Sequence, residues 1–145
     1  MASNILASVL RALWEIMVML FKFFFKKGPQ AKIISANVMN LVVSDWRQID
    51  QDLKSKSPAV LKNALIKADK ALDNLLKELV YGNTMGERMI AGKEKFSSDV
   101  YSAIWSAHKV RNAMVHESGY EPTYYILNEA IENLRKGAKQ LGARI

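Results

Sequence analysis

Apolar and polar positions along this 145-residue chain recur with helical rather than strand spacing. In the first segment, Asn4 to Lys27, Leu, Ile, Val, Met, Trp and Phe dominate. Its polar residues Asn4, Ser8, Arg11, Glu15, Lys22 and Lys26 recur at spacings of three, four or seven. On a helix they form one narrow polar stripe along an otherwise apolar cylinder. Arg11 and Glu15, four apart, can pair. Gly28-Pro29 ends this long first helix.

A second helix is predicted from Lys32 to Lys54, with Ile34, Val38, Leu41, Val42, Trp46, Ile49 and Leu53 at helical spacing and Asp45 as one interruption. Ser57-Pro58 is a start signal, Ser as cap and Pro at the first helical position. It opens a third helix, Ala59 to Val80, whose stripe is Leu61, Leu65, Ala68, Leu72, Leu75, Leu76 and Leu79. Tyr81-Gly82-Asn83 stops it. Thr84 with Glu87 is a capping box for a short helix, Met85 to Ala91. A polar loop, Lys93 to Ser97, precedes a helix capped by Ser97 or Ser98 that runs to about Val115. After a loop from Glu117 to Glu121, Pro122 opens the last helix, Thr123 to Leu141, with Tyr124, Leu127, Ile131, Leu134 and Ala138 inward. No strand-like alternation, internal repeat or low-complexity tract interrupts this order. The expectation is an all-α protein: an apolar helix over residues 1–30, then an antiparallel bundle over residues 31–145.

Composition narrows the function classes. The chain has no cysteine, which excludes disulfides, thiol catalysis and thiolate metal sites. The formal charge of +7 is uneven. Residues 1–32 carry Arg11, Lys22, Lys26, Lys27 and Lys32 against Glu15, a balance of +4, leaving +3 for the rest. Basic residues beside an apolar helix favour an anionic membrane surface. The segment lacks the basic start and small-residue cleavage site of a secretory signal. Its length suits a bilayer span, yet each charge at mid-bilayer costs roughly 2.5–3.5 kcal/mol. Two readings stay open: membrane association through Arg11, Trp14, Lys22, Phe23, Phe24, Phe25, Lys26 and Lys27, with the bundle on the cytoplasmic side, or packing into the bundle or an oligomer of a cytoplasmic protein.

No Gly-rich phosphate loop, GxSxG or HExxH is present. His108 and His116 have no carboxylate at ligand spacing on their helix, so neither a metal nor a cofactor is expected. The informative stretch is His108-Lys109-Val110-Arg111-Asn112-Ala113-Met114-Val115-His116. His108, Arg111 and Asn112 are three and four apart and share a face, and His116 lies four beyond Asn112. An Arg can grip a phosphate with two hydrogen bonds, and a His can move protons near neutral pH. The alternative reading is a helix C-terminus at which Arg and His satisfy carbonyls and the helix dipole.

Arg111-Asn112-Ala113-Met114-Val115-His116 resembles the HEPN superfamily pattern of Arg, a polar residue and a following His. Trp46, the run Ala68-Asp69-Lys70-Ala71-Leu72-Asp73, the run Thr84-Met85-Gly86-Glu87-Arg88-Met89, and Trp105 to Glu117 resemble a bacterial HEPN-like group, over roughly residues 45–142. The resemblance implies a four- to five-helix bundle, usually a homodimer with the two motifs facing across a cleft, and metal-independent endoribonuclease activity. It implies that Arg111 holds the scissile phosphate, Asn112 positions substrate or His116, and His116 is general base or acid. His108 and Lys109, outside that motif, are candidate substrate contacts. It equally admits a non-catalytic, membrane-associated module that binds RNA, a nucleotide or a protein partner. The apolar N-terminal helix is not part of the family pattern.

Overall fold

The computed structural model of the protein describes residues 32–145, together with the single position Glu15. The chain divides between Ala31 and Lys32. The segment expected to associate with a membrane, which includes Arg11, Trp14, Lys22, Phe23, Phe24, Phe25, Lys26 and Lys27, lies outside the described residues. Among those residues, no helix is long and apolar enough to cross a membrane.

Over residues 32–145, five α-helices and one 3-10 turn follow in order: α1 Ala36–Lys54, α2 Pro58–Leu79, α3 Met85–Ala91, the turn Lys93–Lys95, α4 Ser98–His116 and α5 Tyr124–Gln140. No strand occurs among the described residues. The boundaries follow local chemistry. The second predicted helix begins at Ala36 rather than Lys32, because the Ser35 hydroxyl accepts from the Val38 N–H at 3.4 Å and caps the helix there. Ile34 and Met39, flanking that cap, both pack on the core as in a hydrophobic staple. Pro58 opens α2 as its first residue, and Val80 ends it by turning extended. The Thr84 hydroxyl accepts from Glu87 N–H at 3.1 Å; the Glu87 carboxylate in return accepts from Asn83 N–H at 2.7 Å, one residue before the usual partner. The expected polar loop forms the 3-10 turn. Thr123, not Pro122, caps α5.

The end of α5 carries a signal the periodicity did not use. Gly142 takes φ +97°, and Ala143 N–H and Gly142 N–H donate to the Ala138 and Lys139 carbonyls, both at 3.0 Å. This is a Schellman end, whose left-handed residue favours glycine.

α1 with α2, and α4 with α5, form antiparallel hairpins. α2 packs against both α1 and α5 and is the centre of the bundle. Its buried residues are Leu61, Ala64, Leu65, Ala68, Asp69, Ala71, Leu72, Leu75 and Leu76. The alanines let neighbouring helices approach. Across from them lie Trp46, Ile49, Ile104, Leu127, Ile131 and Leu134, all essentially inaccessible. The Arg135 guanidinium stacks 4.4 Å above the Trp46 ring and donates to Asp50 and Glu132. Burial works against its charge, but those hydrogen bonds outweigh burial and hold its pKa above the ordinary arginine value.

Gly137 marks the closest approach of α5 to its neighbours. A Cβ there would stand 2.7 Å from Ile104 Cγ2 and 3.4 Å from Leu72 Cδ1, and both residues are fully buried. Alanine in a helix gains up to about 1 kcal/mol over glycine. Overpacking a core with no room to give costs about 1–3 kcal/mol. Gly137→Ala is therefore expected to destabilise; an unchanged or higher denaturation midpoint would show that the α4–α5 contact yields more easily than its packing implies.

Candidate functional site

α2 and α4 diverge enough to leave a groove of about 580 Å³, closed on one side by the start of α3; Asp69, Asp73, Trp105, His108, Arg111 and Asn112 are among its lining residues. Asp69 sits on the inward face of α2, four residues after Leu65 and three before Leu72, and its side chain is 5% exposed. A carboxylate so placed must find partners. His108 Nδ1 lies 2.8 Å from its Oδ1, and Arg111 Nε lies 3.5 Å from its Oδ2. Asn112 closes the set. Its Nδ2 is 3.1 Å from His108 Nε2, and its Oδ1 accepts from Arg111 Nη1 at 3.0 Å.

Only one proton arrangement satisfies this ring. His108 must donate through Nδ1 to the acceptor-only carboxylate, leaving Nε2 as acceptor for the Asn112 amide. Asn112 must then turn its oxygen toward Arg111. Rotating the amide would set its NH2 against the guanidinium, so a His108 that donates through Nδ1 orients Asn112, and Asn112 orients Arg111. Trp105 packs edge-on against His108 with ring centroids 6.2 Å apart and limits its rotation.

A second clamp borders the groove. Arg88 donates from Nε and Nη2 to the Asp73 carboxylate, at 2.7 and 2.9 Å, and from Nη1 to the Gly82 carbonyl at 2.5 Å. This forked pair ties α3 and the preceding loop to α2, and so holds one wall of the groove.

His116 is placed differently. It is the last residue of α4, exposed, with no side-chain hydrogen bond to any described residue. It lines a neighbouring groove of about 500 Å³ with Lys109, Asn112, Glu117 and Tyr120. Since α4 ends there, Glu117 leaves in an extended conformation and borders the same groove. Five residues separate Arg111 from His116, which on a helix is about 140° of rotation. The two therefore open onto different grooves, with Asn112 and Lys109 lining both. Lys109 is exposed; His108 has both ring nitrogens engaged within the ring. Among the described residues no cluster of three His, Asp or Glu side chains could hold a metal ion.

Comparison with protein-family models, with curated proteins and with solved structures finds no match. Assignment of the site rests on its own chemistry. Asp69, Asp73 and Arg88 were not among the residues predicted for it. The signal for Asp69 was available, because a charged residue on the apolar face of a helix is almost never left unpaired.

Asp69→Asn tests the ring. It keeps an acceptor for His108 but removes the charge that faces Arg111, and its NH2 is a donor that Arg111 cannot use. Hydrogen bonds to charged groups contribute about 1.5–3 kcal/mol, and a loss of that order is expected in denaturant unfolding. A change within about 0.5 kcal/mol, as for an ordinary surface position, would mean that Asp69 is not the ring's anchor.

Proposed function

We propose that the protein is a HEPN-type, metal-independent endoribonuclease that works as a homodimer. The observation that carries this reading is the accessible imidazole of His116 at the tip of α4, bordering the same groove as Asn112, whose side-chain oxygen accepts from the Arg111 guanidinium. In the reaction, the RNA 2′-hydroxyl attacks the adjacent phosphorus and the bond to the 5′-oxygen breaks. His116 takes the 2′ proton while water protonates the leaving 5′-oxygen, or His116 protonates that oxygen while water takes the 2′ proton. Arg111, held by Asn112 and Asp69, borders the adjoining groove and stabilises charge on the phosphoryl oxygens of an RNA that crosses Lys109 and Asn112, which line both grooves. The products are a 2′,3′-cyclic phosphate and a free 5′-hydroxyl. Val115, Tyr125 and Ile126, exposed at the same end of the bundle, offer apolar surface to a second copy. The test is incubation of purified full-length protein with mixed RNA in EDTA, wild type beside His116→Ala, with the oligomeric state measured in parallel.

A second reading draws on the closed ring itself. Arg111 already faces Asp69 and Asn112, so much of its charge is balanced within the chain. This favours a non-catalytic module in which the ring is structural and the groove binds RNA, a nucleotide or a protein. RNA binding without cleavage, unchanged in His116→Ala, would select it. Under either reading the apolar N-terminal segment would hold the bundle at a membrane.

A further inference from the structure

We infer that the end of the bundle at which Lys32 lies is a lipid-facing surface fitted to an anionic bilayer. This rests on the membrane association proposed for the N-terminal segment and specifies which end of the bundle meets the lipid.

The four long helices alternate in direction, so their termini sort into two sets. The start of α1 meets the end of α2, where Ser35 N–H donates to the Glu78 carboxylate at 2.9 Å. The start of α4 meets the end of α5, where Ser97 N–H donates to the Gln140 side chain at 3.0 Å. The end of α3 returns to the same level, because Gly92 lies against Leu76 and Val80. Three large apolar side chains stand out from this end: Ile33 is 85% exposed, Tyr81 84% and Ile90 63%.

Their surroundings are basic. Lys32 Nζ lies 3.2 Å above the Tyr81 ring, and Lys93 and Lys95 stand exposed on the 3-10 turn. Lys136, Lys139 and Arg144 add three more positive charges near the end of α5. Against these six stand three acidic residues, Glu78, Glu94 and Asp99. The opposite end is balanced: Lys54, Lys56 and Lys62 are matched in number by Asp52, Glu117 and Glu121, and Lys62 pairs with Glu121.

Apolar side chains set among lysines match the boundary of a bilayer. Aliphatic groups enter the acyl region, tyrosine sits at headgroup level, and lysines meet lipid phosphates. A nucleic acid would use the lysines but not Ile33 and Ile90, which neither hydrogen-bond a phosphate nor present a flat face to a base. The geometry also sets the other end apart. α4 has 19 residues, so His116 stands about 27 Å beyond the start of that helix, clear of the lipid and open to a large substrate.

The absence of cysteine makes the test clean. Full-length Ile90→Cys and Ser118→Cys proteins, each carrying an environment-sensitive dye, are mixed with vesicles of phosphatidylcholine alone or with phosphatidylglycerol, and flotation is measured alongside. The expected result is a blue shift of the Ile90 label, with none at Ser118, on the phosphatidylglycerol vesicles. Adding Lys93→Glu and Lys95→Glu to the Ile90→Cys protein should weaken that response at least about tenfold in lipid concentration. Flotation with an unshifted Ile90 label, or equal shifts at both labels, overturns the assignment of this face while leaving membrane association standing. Failure to float with either vesicle overturns both. A shift of the Ile90 label on added RNA but not on vesicles would make this a nucleic-acid surface and overturn the proposal.

Discussion

His116→Ala is expected to lower RNA cleavage about a hundred- to ten-thousand-fold, the usual worth of a positioned proton-transfer group. It should do so with little change in stability. His116 is exposed and bonded to no described residue, and such substitutions stay within about 0.5 kcal/mol. This separation makes position 116 more informative than position 111. Arg111→Ala would remove charge from the proposed phosphate site and also leave the buried Asp69 carboxylate without its cation, so activity and folding would fall together. Cleavage by the wild type should persist in EDTA, and its products should end in cyclic phosphate. A folded His116→Ala protein that still cleaves at the wild-type rate would remove the catalytic assignment.

The largest expected loss of stability comes from Arg88→Ala. Arg88 is 7% exposed, and its forked contact with Asp73 is reinforced by the Gly82 carbonyl. Removing the guanidinium leaves the Asp73 carboxylate, 14% exposed, with only the half-exposed Lys77. Breaking a buried pair from one side costs about 3–5 kcal/mol, because the remaining charge is stranded. Replacing both partners by apolar residues of similar volume, Arg88→Met with Asp73→Leu, should recover much of that loss, since neither charge then has to be desolvated. Urea unfolding of the single and double variants measures both terms. A single-variant loss below about 1 kcal/mol would show that water reaches Asp73 readily and that the pair is not a clamp.

Helix order was legible because the breaks carry residues with a mechanism: Ser57-Pro58, Thr84 with Glu87, and Pro122, although Thr123 is the residue that caps the last helix. The start of α1 was not, because Ile34 fits the helical stripe equally well as the apolar residue before a cap. The site was legible in part. The spacing of His108, Arg111 and Asn112 places them on one face, and they do form one network. Spacing along a single helix cannot say what a second helix brings to it, and Asp69 comes from α2, 39 residues away. Nor does the shared four-residue step from Asn112 to His116 carry over to Arg111, one position earlier. That single residue turns the guanidinium toward the first groove while His116 borders the second.

The central position of α2 has a consequence for hydrogen exchange. Its backbone amides around Leu65, Ala68, Leu72 and Leu75 are enclosed by α1, α4 and α5, so they can exchange only when the bundle opens as a whole. The seven residues of α3 are different. They are joined to the rest largely through Arg88 and the buried Met85 and Met89, a small contact that can open by itself. Asp69 and Asp73 line the groove from α2, which is expected to exchange slowest, while Thr84 and Gly86 border it at the start of α3, which is expected to exchange faster. One wall of the groove therefore keeps time with global unfolding and the other with local breathing. A ligand that bridges the two should slow exchange in α3 far more than in α2.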